Sequence, residues 1–252
     1  MVAFLLYFFT MSRHSKWSKI KGAKGTADQK RAAVFTKLSR MITIAARGGG
    51  DPGTNFKLRL VIDTAKGAAM PKDTIDRAIA KGTGADKEGV QLIEDTYEGF
   101  GPGGSAFIVE VVTDKKNRAY QDLKHAFIEH GGNLGGSGSV AWMFERRGVV
   151  RLAVERLKLK DESEFELKLI DAGAEDILVE DEGITVYTKP DELKAVEEKV
   201  RAMGFTPEST GLEWIPKEKI TPPEDARARL EALQDALDEM EDVSEYYTNV
   251  GL

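Results

Sequence analysis

Apolar residues recur at three- and four-residue steps through the first third of the chain. Between Ala27 and about Arg47 this spacing predicts an amphipathic helix. It predicts two more helices, one from Thr54 to Lys66 and one across MPKDTIDRAIAKG, with Pro71 in the first turn and Gly82 just past the end. Three short helices joined by turns that contain glycine and proline indicate a small helical domain.

Beyond Lys87 the pattern changes to β-branched runs that alternate with helical periodicity. GSAFIVEVVTD, NRAYQDLKHAFIEHG and SVAWMFERR predict β-α-β, and the stretch from GVVRLAV to PDELKAVEEKVRAMG predicts β-α-β-β-α. That order is typical of a ferredoxin-like unit. We expect GLEWIP, the helix in TPPEDARARLEALQDALDEM and VSEYYTNV to complete the sheet that begins near residue 90.

The predicted fold class is therefore α+β with three domains. A basic helical domain occupies residues 11–85, and two ferredoxin-like α/β domains follow it. The middle one is discontinuous, made of residues 88–146 plus 207–252, and residues 147–206 form the inserted one.

Residues 1–10, MVAFLLYFFT, form an apolar run before this fold. The run is shorter than the roughly 20 residues that span a bilayer, and it lacks the basic region and cleavage site of a secretory signal. Because Met11 stands directly before the polar sequence, we expect a dispensable leader or a misassigned start. A short element packed on the body is the alternative.

Charge is distributed unevenly along the chain. The first 60 residues carry twelve Lys and Arg against two acids, a net charge of +10, whereas the remainder has a net charge of −16. A basic end of this kind attracts polyanions. Trp17 lies among the cations, where it could stack on a base, and Gly22 and Gly25 would let the chain follow a phosphate backbone.

We predict from this bias a nucleic-acid-binding surface, with an ordinary solvated surface as the alternative. At about 100° per residue, Lys37, Arg40 and Arg47 share one sector of the first helix, and we expect this sector to face solvent. The predicted contact residues are Arg13, His14, Lys16, Trp17, Lys19, Lys21, Lys24, Lys30, Arg31, Lys37, Arg40 and Arg47.

Two glycine-rich motifs need separate interpretations. GFGPGG matches the dinucleotide pattern, but it leads into a strand and Pro102 removes an N–H donor, so it predicts a tight turn between strands. HGGNLGGSGSVAWMF lacks the Lys-Ser/Thr pair of a P-loop. We expect Gly131 to end the preceding helix in the left-handed conformation. We expect the rest to be a flexible loop leading into a strand whose Val140, Trp142 and Phe144 point to one face. A partner or an RNA backbone could approach it closely, and a long connection is the alternative. The candidate partner loop consists of Gly131, Gly132, Asn133, Leu134 and Gly135.

Catalysis and metal binding receive little support from the sequence. The chain has no cysteine, which excludes disulfides, thiolate zinc sites and a cysteine nucleophile. His125 and His130 are five residues apart, the wrong spacing for two ligands on one helical face, and His125 with Glu129 predicts a surface pair. We predict no catalytic or metal site. An enzyme that uses Asn133, His130 or Glu129 in a cleft between domains is the alternative from another class.

Several blocks, taken together and in order, resemble the YebC family of probable transcriptional regulatory proteins, which includes a mitochondrial translational activator of a cytochrome c oxidase subunit. The resemblance covers about residues 11–250. It implies three domains and a cytoplasmic, non-enzymatic protein without a cofactor. The chain departs from the family at its leader and at Arg13, where many members have glycine. The matching blocks are HSKW, FTKL, AARGGGDP, MPKDTIDRAI, YEGFGPGG, the NR pair at 117–118 and HGGNLGGSGSVAWMF.

The expected function is that of a DNA-binding transcriptional regulator. The alternative is a ribosome-associated translation factor that binds ribosomal RNA and relieves stalls. DNA and ribosomal RNA are both polyphosphates, so the charge pattern does not separate them. The sequence shows no helix-turn-helix with an obvious recognition helix, which weakens the case for operator binding. We expect no membrane partner.

Overall fold

The computed structural model describes residues 27–85, 91–153, 162–180 and 183–251. Residues 1–10 and seven of the predicted nucleic-acid contacts, from Arg13 to Lys24, lie outside these ranges, and for Lys30 only the backbone is described. Across the described ranges, no helix has the length and apolar character needed to cross a membrane.

Within residues 27–85, the N-terminal domain contains three helices, as predicted. Asn55 joins the first two: its Oδ1 accepts from the Leu58 amide at 3.1 Å, and its Nδ2 donates to the Ala45 and Gly49 carbonyls at 2.7 Å each. This side chain satisfies groups at one helix end and the next helix start. The helices are α1 (Ala27–Ala45), α2 (Phe56–Gly67) and α3 (Lys72–Gly82).

Gly82 allows α3 to lie directly against α1. A Cβ atom built on Gly82 would lie 2.6 Å from the Ala46 Cβ and closer still to the Thr43 carbonyl oxygen. Thr43 Oγ1 also contacts the Ala78 carbonyl, at 3.2 Å. Gly82 is thus the last residue of α3 and a packing residue, whereas the sequence pattern placed it beyond the helix end.

The first α/β unit contains a four-stranded antiparallel sheet in the order β3-β1-β2-β8. Two helices cover one face, and Phe107 on β2 packs there with Phe127 and Leu233 from the helices. The final strand joins the sheet from far along the chain. The elements are β1 (Ile93–Phe100), β2 (Ala106–Thr113), α4 (Lys116–Glu129), β3 (Asn133–Leu134), α7 (Glu224–Glu239) and β8 (Val243–Thr248).

The second α/β unit lies within the first in sequence. Its four strands are all antiparallel in the order β5-β6-β4-β7, which is the ferredoxin-like arrangement. Val150, Val186 and Val196 belong to its core. The elements are β4 (Phe144–Leu152), α5 (Glu162–Ile170), β5 (Ala174–Glu180), β6 (Gly183–Thr188), α6 (Leu193–Ala202) and β7 (Ser209–Pro216).

The two sheets meet through a mixed polar and aromatic contact. Glu110 Oε1 on β2 accepts from Arg146 Nη1 at 2.6 Å and from Trp214 Nε1 at 3.1 Å. The Arg146 guanidinium lies 5.2 Å from the Trp214 ring centroid. One carboxylate of the first sheet therefore binds β4 and β7 of the second.

The α+β class with a helical domain and two α/β units is confirmed, but two strand assignments were wrong. GLEWIP was expected in the first sheet and instead forms β7 beside β4. SVAWMFERR was expected to be one strand of the first unit, yet Ala141–Met143 form a 3₁₀ turn and the following strand belongs to the second sheet. Periodicity identifies a strand but not its neighbour. The boundaries of the inserted domain at 147 and 206 stay a prediction.

Replacing Gly82 by alanine is expected to lower the free energy of unfolding by about 1–3 kcal/mol, because the added methyl group forces α1 and α3 apart. Thermal unfolding followed by circular dichroism measures the effect. Gly211→Ala is the matched control, since a Cβ atom there meets nothing within 4 Å. Equal melting temperatures for the two variants would contradict the close approach.

Candidate nucleic-acid interface

Lys37 on α1 points into the molecule. It is 5% exposed, and its Nζ donates to the Asp238 carbonyl at 2.7 Å near the end of α7. The expectation that its helical sector faces solvent was wrong. The helical period could not show that another domain covers this part of α1.

Arg40, one turn further along α1, also contacts the first α/β unit. Its Nη1 lies 2.6 Å from Asp242 Oδ1 and donates to the Glu241 carbonyl at 2.9 Å. Arg118 on α4 approaches the other oxygen of Asp242, at 2.9 Å, and this hydrogen bond raises the pKa of the Arg118 guanidinium. Asp242 therefore joins α1 to α4.

Arg31 and Arg47 are the two predicted contacts on α1 and its 3₁₀ extension whose side chains are exposed. Arg47 Nη2 nevertheless donates to the Leu92 carbonyl at 2.7 Å, at the approach to β1. Within the described part of the predicted set, the cations thus divide into two inward residues, Lys37 and Arg40, and two outward ones.

A second charged contact holds α2 against the second α/β unit. Glu197 on α6 has no exposed side-chain surface, and its carboxylate lies 3.0 Å from Arg59 Nη2 and also binds Arg201. The sequence pattern did not reveal this contact, because Glu197 is one of five charged residues among the ten of α6. The feature that could have identified Glu197 is its position next to Val196, on the apolar face of the helix.

The three units surround a cleft of about 1090 Å³. Its walls include Val34 and Met41 from α1, Leu60 from α2, and Glu110 and Arg146 from the two sheets. A smaller cavity of about 650 Å³ lies beside Arg40 and Asp242. Glu129, His130 and Asn133 line neither of these two cavities.

The candidate partner loop is ordered where it was expected to be flexible. Gly131 has a φ of +82°, and the Gly132 amide donates to the Phe127 carbonyl at 2.7 Å. Asn133 and Leu134 form the short strand β3 against β1. The five residues therefore begin as a helix end and continue as a sheet edge.

Glu98 on β1 fixes the following segment. Its buried carboxylate accepts three backbone hydrogen bonds of 2.7 Å, from Gly138, Val140 and Ala141, and its carbonyl accepts from Gly135 at 2.8 Å. Burial by itself raises the pKa of this carboxyl, but the three amides outweigh it and hold the pKa below its ordinary value of 4.5. We name residues 135–143 the Glu98 loop.

Trp142 protrudes from the Glu98 loop. It is 67% exposed, the highest value for a large apolar side chain among the described residues. Its Nε1 donates to the Ser139 carbonyl at 3.1 Å, and its own carbonyl accepts from Lys217 Nζ at 2.9 Å. Trp142 was expected to share a strand face with Val140 and Phe144, which are both buried.

The two histidines among the described residues are His125 and His130, near the end of α4. His125 Nδ1 lies 3.5 Å from Glu129 Oε2 with both side chains exposed, as predicted for a surface pair. In the part of the chain that the structure describes, no group of three His, Asp or Glu side chains could hold a metal ion.

Comparison with known protein families gives two adjoining matches. The profile of the TACO1/YebC protein N-terminal domain matches residues 15–85, and that of the TACO1/YebC second and third domain matches residues 92–250. The chain belongs to the TACO1/YebC family. The resemblance seen in the sequence blocks is thereby confirmed, and both the basic N-terminal segment and the Glu98 loop lie within matched regions.

Relatives in the TACO1/YebC family match over nearly the whole chain. A protein of Desulfosudis oleivorans named probable transcriptional regulatory protein is 45% identical over 96% of this chain and 97% of its own length. One of the same name from Kosmotoga olearia is 44% identical over 95% and 94%. The crystal structure of a conserved hypothetical protein, Aq1575 from Aquifex aeolicus, is 39% identical, with a TM-score of 0.79 over 94% of this chain and 96% of that one.

Arg40→Ala is expected to loosen α1 from the first α/β unit, because Asp242 and the Glu241 carbonyl lose a charged donor. A loss of about 1.5–3 kcal/mol in the free energy of unfolding is the scale for such a bond. Hydrogen exchange of residues 34–45 measures it. Lys66→Ala, which removes an exposed lysine 4.0 Å from Asp63, should leave exchange unchanged.

Glu98→Gln is expected to destabilise the protein by about 1–3 kcal/mol at pH 7, because one of the acceptor oxygens becomes an NH₂ group that faces amide donors. The folded pKa is depressed, so the contribution of the carboxylate is present above 4.5 and is lost as the pH falls through the folded value. The difference between wild type and variant should therefore shrink in acid.

Urea unfolding from pH 7 downward tests this dependence. Glu94→Gln is the control on the same strand, since Glu94 is exposed and forms a surface pair of 2.9 Å with Lys57. A constant difference between wild type and Glu98→Gln across the pH range would exclude a carboxylate with a lowered pKa.

Proposed function

We propose that this member of the TACO1/YebC family is a non-enzymatic regulator of gene expression that binds nucleic acid through its basic N-terminal segment. The observation that carries the proposal is the charge polarity, +10 over the first 60 residues against −16 over the rest. Residues 12–31 alone hold seven cations and one acid. Charge of this density favours phosphate backbones through the release of condensed counterions.

The inward contacts of α1 narrow the proposed binding surface. Lys37 and Arg40 bind the first α/β unit, so their use on phosphate would require α1 to leave its docking site. The exposed Arg31 continues the basic segment, and Arg47 is exposed at the far end of the domain. We therefore assign the main contact to Arg13, Lys16, Lys19, Lys21, Lys24 and Arg31.

The names of the relatives favour DNA as the target and transcription as the process. The helical domain itself favours the alternative, a ribosome-associated factor on ribosomal RNA. Its helix α3 exposes Lys72 and Arg77 together with Asp73 and Asp76, a mixed surface and not a basic recognition helix. Binding to phosphate with little sequence preference is compatible with RNA as well as with DNA. We expect the protein to act in the cytoplasm.

Changing Lys16, Lys19, Lys21 and Lys24 to glutamate is expected to abolish nucleic-acid binding at moderate salt, because phosphate contacts become repulsive. For wild type, the logarithm of the binding constant should fall linearly with the logarithm of the salt concentration, by about 0.7–0.9 per phosphate contact. Fluorescence anisotropy on random duplex DNA, promoter DNA and ribosomal RNA fragments measures both.

The matched control carries the same change in charge at four exposed lysines of the α/β units, namely Lys115, Lys124, Lys189 and Lys199. An equal loss of nucleic-acid affinity in both variants would mean that net charge alone determines binding, and it would contradict the proposed binding surface. Co-sedimentation with ribosomes separates the two targets. Specific promoter binding at physiological salt without ribosome association favours transcription, and the reverse result favours translation.

A further inference from the structure

The Glu98 loop differs from the surface around it in charge. Residues 131–143 contain no charged side chain, in a chain that is 31% Asp, Glu, Lys and Arg. The carboxylate of Glu98, which binds the loop, is buried and accepts three amide hydrogen bonds. The loop therefore presents backbone and one aromatic ring to solvent, without a negative charge of its own to repel phosphate.

Trp142 is held in a defined orientation although it is exposed. The Glu98 carboxylate binds the Ala141 amide next to it, the Ser139 carbonyl accepts from its indole N–H, and Lys217 binds its carbonyl. Since the indole N–H is already satisfied, the ring offers its π-face and needs no polar partner. A preorganised ring loses little conformational entropy when it binds.

Cations lie at both ends of the uncharged segment 131–143, which contains the Glu98 loop. Lys217 contacts the Trp142 carbonyl at one end. At the other end, Arg229 of α7 lies against Gly131, where a built Cβ atom would be 3.2 Å from Arg229 Nη1. Both side chains are exposed, as is Lys219. Lys217 thus lies beside Trp142, and Arg229 lies at the start of the same uncharged segment. Proteins bind single-stranded nucleic acid by stacking bases on aromatic rings and contacting phosphates with nearby cations.

We propose that Trp142 is a stacking platform for an unpaired base, with Lys217 and Arg229 as contacts for the adjoining phosphates. The proposal rests on the proposed function and adds a second contact surface on the α/β body. The substrate class is single-stranded nucleic acid, because a duplex offers phosphates but no unstacked base. The basic N-terminal segment contacts phosphates and does not select between the two. A protein partner with an apolar pocket for the indole is the competing occupant.

The test compares wild type with Trp142→Ala and Trp142→Phe on a 12-nucleotide single-stranded RNA and on a duplex of equal length, by fluorescence anisotropy. Trp142→Ala is expected to weaken single-strand binding about 5- to 100-fold, the scale of one stacked base. Duplex affinity should not change. Trp142→Phe keeps a ring and should recover most of the loss.

Leu167→Ala is the matched control, because Leu167 on α5 is 61% exposed and lies on the second α/β unit. Its affinity for both RNAs should equal that of wild type. Arg229→Glu should weaken single-strand binding and lower its dependence on salt, because one phosphate contact is lost. A melting temperature equal to that of wild type for each variant shows that the fold is intact.

The outcomes separate this inference from the function on which it rests. If wild type binds neither these RNAs nor the DNA duplexes of the earlier test, the proposed nucleic-acid function fails. If wild type binds both and Trp142→Ala binds the single strand equally well, the stacking platform is overturned and the indole is left for a protein partner. Quenching of tryptophan fluorescence by the single strand that is lost in Trp142→Ala would support direct stacking.

Discussion

Glu197 is a carboxylate without exposed side-chain surface, and its two arginines come from different domains. A buried charge is strongly unfavourable unless charged partners and hydrogen bonds surround it. Separating α2 from α6 would remove Arg59 and leave Glu197 with Arg201 alone. The position of the helical domain on the second α/β unit thus depends on this carboxylate, as its position on the first depends on Asp242 between Arg40 and Arg118.

These contacts divide the cations of the helical domain by task. Lys37, Arg40 and Arg59 hold the domain against the body, whereas Arg31 and the segment before it remain for a polyanion under the proposed function. The same residue types serve both purposes, and only burial and partners distinguish them. Part of the basic stretch therefore forms contacts between domains. Its net charge is larger than the number of cations that a phosphate backbone can contact.

Local pattern was enough to predict the three helices and most strands, because helical and strand periods are properties of short segments. The family was identified separately, from the resemblance of its sequence blocks. It failed where a choice of neighbour was needed. Nothing within GLEWIP indicates that its strand pairs with β4, and nothing within the α1 sector indicates that another domain covers Lys37. Glu98 escaped notice for the same reason: its three amide partners lie about 40 residues away, and the 3₁₀ turn that exposes Trp142 depends on them.

The strand order β3-β1-β2-β8 also determines when the first sheet can be completed during synthesis of the chain. Strand β2 has buried residues along nearly its full length, yet the contact of Ser244 with Glu110 joins positions 134 residues apart. The second sheet can be complete once residue 216 has been synthesised, whereas the first can be complete only after β8 has been synthesised. During translation the inserted unit can therefore fold while one edge of β2 is still unpaired, and unpaired apolar edges are where nascent chains aggregate. The C-terminal strand closes that edge last.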